Sequence, residues 1–154
     1  MATGGVTPAA LGPLPANITA RQHIPQLSIL AVADVFLTHG GMNSTMEALY
    51  YGVPMVAVPQ MGEQEVTAHR LEQLGLGRFI DRDAVTPELL AQAVTEVMES
   101  TALHQRVQAM QHRVRAAGGT SRAADVIERT LRQPTQTPLP HVAAAPAAEA
   151  PGHA

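Results

Sequence analysis

The stretch DVFLTHGGMNSTMEALYYGVPMVAVP, residues 34–59, decides the fold class. It opens with DVFLTH, a compact apolar run rich in β-branched and aromatic residues, which predicts a buried strand. The glycine pair Gly40-Gly41 follows, then a helix-like segment over residues 43–51 and a second apolar run over residues 53–59. Strand, glycine loop, helix and strand in this order predict a βαβ unit with parallel strands. We therefore expect an α/β fold whose parallel sheet is buried on both faces.

The segment before this unit has weaker patterns. Residues 1–16 are rich in glycine and proline and are expected to form a loop. NITARQHI, residues 17–24, alternates in polarity like a short strand and is followed by Pro25. QLSILAVA, residues 26–33, predicts one or two helical turns.

The segment after it is mainly helical. Residues 62–74 predict an amphipathic helix, whose apolar or small positions are Val66, Ala68, Leu71 and Leu74. A short strand is expected around Phe79. Thr86 followed by Pro87 is a helix start, and this helix is expected to run to about Ser100.

Two further helices are expected after Ser100, separated at Gly118-Gly119. From Gln133 onward proline and alanine dominate without an apolar period, which predicts a disordered tail. The predicted domains are thus a folded unit over residues 1–132 and a tail over residues 133–154.

Composition excludes several functions. The chain has 154 residues, no cysteine, and ten basic residues that are all arginine. A disulfide framework, a thiolate metal site, a P-loop lysine and a Schiff-base lysine are therefore excluded. A net charge of −3 gives no electrostatic case for nucleic-acid binding. Aromatic residues make up 3%, so the core must be aliphatic.

Targeting signals are also lacking in the sequence. The N-terminus has neither a basic start nor an uninterrupted apolar stretch, so it is not expected to be a secretory signal. No apolar run approaches the ~20 residues that span a bilayer. We expect a soluble, cytoplasmic protein that binds neither membrane nor nucleic acid.

The turn after DVFLTH carries the candidate chemistry. A glycine pair at the carboxyl end of a parallel strand, followed by a helix N-terminus, forms an anion site from main-chain amides. Asn43, Ser44 and Glu47 share one helix face near that site. A carboxylate at Glu47 suits a pair of sugar hydroxyls, and His39 can donate to a phosphate oxygen.

Structural alternatives exist for the same residues. Ser44 and Glu47 have the S-x-x-E spacing of a capping box, which needs no ligand. A lone loop histidine is more often structural than functional. Met42, Met46 and Leu49 have helical spacing and are expected to pack in the core. The histidines outside this turn lack metal-site spacing, so no metal is expected.

Three blocks in order carry a resemblance to a known family. They are Ile24-Pro25-Gln26, the segment from His39 to Glu47 with GVP after it, and PQMGEQ at residues 59–64. The chain from about Met1 to Leu131 resembles the C-terminal, donor-binding domain of UDP-dependent glycosyltransferases of the GT-B fold, and is most similar to bacterial macrolide-type members. The resemblance implies a Rossmann-like, parallel-sheet half of a GT-B fold, incomplete at its N-terminus.

The resemblance also implies roles for individual residues. Gln26 would bind the uracil edge and Glu47 the ribose hydroxyls. Glu63 and Gln64 would contact the donor sugar. The diphosphate would be held by the helix amides with His39, Gly40, Gly41, Asn43 and Ser44. Transfer would be metal-independent, would need no cofactor and would invert the anomeric centre.

Two positions depart from the family pattern. His23 stands where the family usually has a large aromatic, often Trp, that stacks on uracil. An imidazole stacks over less area. Glu63 stands where the family typically has Asp, so the side chain is one methylene longer and the sugar preference is expected to differ.

By the same resemblance, the general base and the acceptor site belong to an N-terminal domain that this chain lacks. The implied enzyme is a hexosyltransferase acting on a hydroxyl of a small molecule, with the acceptor reached through the missing domain or a separate subunit. Alone, the chain is expected to bind donor weakly and to be inactive. The alternatives are a non-catalytic UDP-sugar-binding subunit, a non-hydrolysing epimerase or a non-functional fragment.

Overall fold

A three-stranded parallel sheet lies at the centre of the fold. The computed structural model describes residues 1–132. Strands β1 (Phe36–Thr38), β2 (Met55–Ala57) and β3 (Gly77–Phe79) are hydrogen-bonded in the order β1-β2-β3. Both pairings are parallel. The expected α/β architecture with a parallel sheet is therefore confirmed.

Helices connect and cover the strands. They are α1 (Gln26–Leu30), α2 (Met42–Tyr51), α3 (Gly62–Gln73), α4 (Pro87–Glu99), α5 (Thr101–Ala116) and α6 (Gly119–Arg132). Short 3₁₀ turns occupy Pro8–Leu11 and Arg82–Ala84. These bounds agree closely with the helices expected from the sequence.

Local chemistry explains where these helices begin and end. Gly52 ends α2 in the left-handed region, with φ of 75°, which only glycine adopts at no steric cost. The Thr86 hydroxyl caps α4 by accepting from the Leu89 amide at 3.1 Å. Ser100 ends α4 and begins α5, where its hydroxyl accepts from the Leu103 amide.

The core is aliphatic, as the composition requires. All three β2 residues are buried, together with side chains from the surrounding helices. Helix α4 packs against β2 and β3, α3 against β3, α2 against β1, and α5 against α2. Aromatic side chains such as Phe79 are partly buried and pack against the outside of this core.

Strand β1 differs from β2 in its burial. Leu37 at its centre is 48% exposed, and only β2 pairs with β1 among the described residues. The expectation of a sheet buried on both faces therefore holds for β2 and is wrong for β1. As an edge strand, β1 has covering elements on fewer sides.

The strand expected over residues 17–24 is absent from the described structure. One isolated parallel bridge joins Ala2 and Arg21 in its place. The amides of Thr3 and Gly4 donate to the carbonyls of Arg21 and Gln22. The expectation was wrong because, among the described residues, the backbone that bonds to this segment is only a few residues long.

Two expectations about helix faces were also wrong. In α3 the buried residues are Gln64, Ala68 and Leu71, and Val66 is 72% exposed. The core face follows the i, i+4, i+7 positions that begin at Gln64, and Val66 lies off that row.

In α2 the buried residues are Thr45, Ala48 and Leu49. Leu49 packs in the core as expected, whereas Met42 and Met46 are exposed. The two methionines lie outside the buried row because α2 turns a different face to β1 and α5.

The chain divides into two compact units, one from Met1 to Ala117 and one that begins at Gly118. The sheet and helices α1 to α5 belong to the first unit. Helix α6 belongs to the second, and its apolar Val126, Ile127 and Leu131 are exposed. The predicted tail, residues 133–154, lies outside the described residues, so the predicted domain division stays a prediction. No helix in residues 1–132 has the length and apolar character that a membrane span needs.

Candidate functional site

The turn from β1 into α2 needs glycine at its first position. Gly40 has φ of +81°, and its amide donates to the Thr38 hydroxyl at 3.2 Å. A Cβ on Gly40 would lie 3.2 Å from the Gln64 carbonyl oxygen. The close approach of main chain to main chain brings the β1–α2 turn against the start of α3.

The second glycine makes room for an imidazole. Gly41 has φ of −61°, which any residue can adopt. A Cβ there would lie 2.5 Å from Nε2 of His39. The exposed His39 ring therefore rests against Gly41, and presents its nitrogen beside the N-terminus of α2.

The first turn of α2 has open main-chain donors. Gly41 is the N-cap, and its carbonyl accepts the first helical bond from the Thr45 amide at 2.9 Å. The amides of residues 42–44 precede that bond and have no partner within the helix. No side chain caps this end of α2. These donors and the helix dipole give the turn the chemistry that favours an anion.

The capping-box alternative is wrong. Ser44 lies three residues inside the helix, because α2 begins after Gly41. A capping box would need Ser44 at the N-cap position. Asn43 and Ser44 instead occupy the first turn, and the Asn43 side chain is exposed there.

A hydrogen-bonded group of three polar side chains lies beside this turn. Nε2 of Gln26 donates to Oγ of Ser44 at 3.1 Å and to Oε2 of Glu47 at 2.6 Å. All three residues are half-buried. Gln26 comes from α1 and the other two from α2, so the fold brings polar side chains of two helices together here.

A cavity of about 230 Å³ lies on the other side of the glycine turn. Its lining residues are Gly40, Gly41, Met42, Glu63, Gln64 and Thr67. Glu63 is exposed, whereas Gln64 is buried and its Oε1 accepts from the Gln60 amide at 2.9 Å. The glycine turn thus separates the Gln26 group from a cavity that Glu63 and Gln64 border.

His23 is the predicted residue that the structure connects least to the others. It is exposed in the loop before α1. Within the described part of the chain no side-chain hydrogen bond links it to α2 or to the glycine turn. Its assigned role therefore stays a prediction.

Three residues of this region were not singled out from the sequence. The Thr38 hydroxyl accepts from the Gly40 amide, and the Gln60 amide donates to the Gln64 side chain. Arg82 donates to the Gln60 carbonyl at 3.3 Å. Thr38 could have been found as the polar end of a buried strand, and Gln60 lies in the PQMGEQ block. Arg82 had no sequence signal.

Metal ligands do not cluster in residues 1–132, where no group of three or more His, Cys, Asp or Glu side chains could hold an ion. The polar groups at the turn are amide, hydroxyl, imidazole and carboxylate groups. Together they can bind an anion and, next to it, a group that carries hydroxyls.

The comparisons with known sequences agree with one another. Residues 6–129 match the family described as erythromycin biosynthesis protein CIII-like, C-terminal domain. The NDP-glycosyltransferase YjiC of Bacillus subtilis is 48% identical over 128 residues, 83% of this chain and 33% of that protein. The oleandomycin glycosyltransferase of Streptomyces antibioticus is 38% identical over 136 residues, 87% of this chain and 32% of that protein.

A solved structure agrees with these sequences. CalG4, the calicheamicin glycosyltransferase, matches with a TM-score of 0.78 and 41% identity, over 83% of this chain and 33% of that one. The chain thus spans about a third of the length of the relatives it matches. By sequence and by fold it belongs to the erythromycin biosynthesis protein CIII-like C-terminal domain family, the C-terminal domain of GT-B glycosyltransferases.

Proposed function

We propose that this chain binds the donor of a UDP-dependent glycosyltransferase that transfers a hexose, with inversion, to a hydroxyl group of a small-molecule acceptor. The observation that carries the proposal is the open first turn of α2 with the Gln26, Ser44 and Glu47 group beside it. Main-chain donors for an anion and a carboxylate for hydroxyls lie on one helix, as a nucleoside diphosphate requires.

The diphosphate is assigned to the amides of residues 42–44. The side chains of Asn43 and Ser44 add short polar contacts in the same turn, and His39 donates from the opposite side of Gly41. The positive end of the α2 dipole favours the negative charge of the two phosphates. The Gly40-Gly41 turn lets the main chain approach them closely.

The ribose is assigned to Glu47. A carboxylate has four acceptor positions and can accept from two neighbouring hydroxyls. Gln26 already donates both of its amide hydrogens to Ser44 and Glu47, so its free Oε1 is the atom that can accept from uracil. The base lies toward the loop that carries His23.

The donor sugar is assigned to the cavity beside the glycine turn. Its volume of about 230 Å³ is smaller than the roughly 300–1,000 Å³ of drug-sized ligand pockets and suits one hexose ring. Glu63 and Gln64 supply polar groups for its hydroxyls. Glu63 is exposed and can reach a sugar that the buried Gln64 contacts from the other side.

Leaving-group stabilisation is the chemical role of these residues. As the bond between sugar and phosphate breaks, negative charge grows on the diphosphate. Preorganised amides and His39 then stabilise that charge, without a metal or cofactor in the step. The acceptor hydroxyl and its general base are assigned to an additional domain or subunit, so the chain alone binds donor weakly and does not transfer sugar.

The relatives support the donor class and the acceptor class. One is named an NDP-glycosyltransferase, and two are named the oleandomycin glycosyltransferase and the calicheamicin glycosyltransferase. The preference for a ribonucleotide such as UDP over its 2′-deoxy form follows from Glu47, because a 2′-deoxyribose would leave one carboxylate contact unmade. The lack of cysteine suits the reducing cytoplasm in which we place the protein.

The binding test uses UDP-glucose with UDP, 2′-deoxy-UDP and uridine as probes, in the presence of EDTA. We expect UDP-glucose and UDP to bind and uridine to bind far less, in titrations followed by nuclear magnetic resonance. Glu47→Gln should weaken UDP binding by roughly 10–100-fold, because a hydrogen bond to a charged group contributes about 1.5–3 kcal/mol.

Glu99→Gln is the matched control. Glu99 is exposed at the end of α4, and its substitution removes the same charge far from the site. It should leave UDP affinity unchanged. Equal effects of the two substitutions, or an equal effect of Glu47→Gln on UDP and on 2′-deoxy-UDP, would contradict the ribose assignment.

A further inference from the structure

An arginine that follows β3 in the sequence donates a hydrogen bond to the loop between β2 and α3. Nη1 of Arg82 donates to the Gln60 carbonyl at 3.3 Å, across 22 residues of sequence. Arg82 begins a 3₁₀ turn that Asp81 caps by accepting from the Asp83 amide at 2.8 Å. The backbone of Arg82 is therefore held in this turn, and its guanidinium extends to the loop.

The same residue, Gln60, also sets the orientation of Gln64 through its own N–H, one Cα away from the carbonyl that Arg82 contacts. The Gln60 amide donates to Oε1 of Gln64, and the Gln60 side chain donates to the Val58 carbonyl at 3.0 Å. A main-chain N–H can donate only to the oxygen of a carboxamide. This bond therefore directs Oε1 of Gln64 toward Gln60 and leaves Nε2 on the other side of the carboxamide. Gln64 is only 8% exposed, and within residues 1–132 its Nε2 has no protein acceptor.

Packing alone does not hold this loop. A second cavity of about 370 Å³ lies against it, and its lining includes Gln60, Met61, Gly62 and Arg82. The loop thus borders open space, and packing does not fill that side of it. The hydrogen bond from Arg82 crosses the edge of that space and opposes displacement of the loop.

We infer that Arg82 is a positioning residue that sets the orientation of Gln64. Through Gln64 it raises the affinity of the cavity for the donor sugar. The inference rests on the proposed function, because it assigns the free amide hydrogens of Gln64 to a sugar hydroxyl. Arg82 does not touch the ligand. It acts on the Gln60 carbonyl, and the Gln60 amide acts on Gln64.

The first test needs no ligand. Arg82→Met keeps the unbranched apolar stem of the side chain and removes the guanidinium with its donors. Hydrogen exchange of the Gln60 amide should become roughly 3–10-fold faster, because one hydrogen bond contributes about 0.5–1.5 kcal/mol to holding the loop. Arg70→Met is the control, since Arg70 is exposed and bonds only the Gln73 side chain within α3. An unchanged exchange rate in Arg82→Met would overturn the inference.

The second test compares two ligands on the same variants. We expect Arg82→Met to bind UDP as the original chain does and to bind UDP-glucose about 3–10-fold more weakly. Arg82→Lys, which keeps one donor and the charge, should recover most of the loss. A parallel fall for both ligands indicates a general structural effect and overturns the inference, as does an unchanged ratio of the two affinities.

The two tests also separate this inference from the proposed function. If the original chain binds neither UDP nor UDP-glucose, the proposed function fails, and the donor-sugar role of Arg82 fails with it. If UDP binds and the ratio does not respond to Arg82→Met, only the inference about Arg82 fails.

Discussion

Two adjacent glycines in the β1–α2 turn are required for different reasons. Gly40 adopts a left-handed conformation against the Gln64 carbonyl, whereas Gly41 has ordinary φ and leaves space for the His39 ring. The first requirement concerns the main chain and the second a movable side chain. Substitution at the two positions should therefore affect stability differently.

Gly40→Ala should lower the free energy of unfolding by about 1–3 kcal/mol, because a left-handed conformation costs roughly 1–2 kcal/mol for a residue with a Cβ. Gly41→Ala should change it by no more than about 0.5 kcal/mol, since the exposed His39 ring can rotate away. Urea unfolding of both variants measures this. Equal losses would show that the turn is not organised as described.

Single residues were the hardest part to predict from the sequence. The spacing of Ser44 and Glu47 suited both a capping box and a ligand face. Only the start of α2 after its N-cap Gly41 excluded the capping box. Gln26 lies 18 residues before Ser44 and 21 before Glu47. Local sequence patterns do not predict contacts over such separations.

Among the elements, β2 and β3 approach each other unusually closely at one point. A Cβ on Gly77 would lie 2.2 Å from the Met55 carbonyl oxygen, which belongs to the neighbouring strand. A side chain at this position must separate the strands or bend one of them. Gly62, at the start of α3, has nothing within 4 Å of the same hypothetical atom.

Gly77→Ala should destabilise the protein by about 2–3 kcal/mol, the upper part of the range for overpacked sites. Gly62→Ala should leave stability unchanged or raise it by up to about 0.5 kcal/mol, since alanine favours a helix. Thermal unfolding of the pair provides the measurement. A tolerated alanine at position 77 would contradict the pairing of Met55 with Gly77.

The contact between α2 and α5 includes a charged side chain. Nε of Arg115 donates to the Tyr50 carbonyl at 2.9 Å, and its guanidinium lies 5.0 Å from the centre of the Tyr50 ring. Gln111 donates to the same carbonyl at 3.2 Å. Helix α5 therefore satisfies an end carbonyl of α2.

Arg115→Met should cost about 0.5–1 kcal/mol, a modest loss because Gln111 continues to satisfy the carbonyl. Arg113→Met, on the same helix and exposed, should change stability by less than about 0.5 kcal/mol. Denaturant midpoints of the two variants test this. The account is contradicted if Arg113→Met is as costly as Arg115→Met.

Elements were predicted well where several local signals agreed. Helix α4 has a threonine cap, a first-turn proline and an apolar face, and its observed bounds match the expected ones. The strand expected over residues 17–24 rested on alternation alone. It failed because a strand also needs a partner, which the sequence of the segment does not specify.

At the scale of the whole molecule, the parallel sheet brings the β1–α2 turn and the start of α3 together. The chain spans about a third of its relatives, and its identified polar groups suit the donor. The parallel sheet was predictable because βαβ order fixes strand direction. The proposal that this chain binds the donor while the general base lies elsewhere came from the resemblance and not from residue patterns.

The central claim is that main-chain amides of the β1–α2 turn bind a diphosphate. The most direct measurement is an amide ¹H–¹⁵N titration of the chain with UDP, with uridine in parallel. We predict that UDP shifts the amide signals of residues 40–44 and that uridine, which has no phosphate, leaves them in place. Signals at the turn that stay fixed with UDP, or shifts confined to residues 81–83 beside the larger cavity, would contradict the claim.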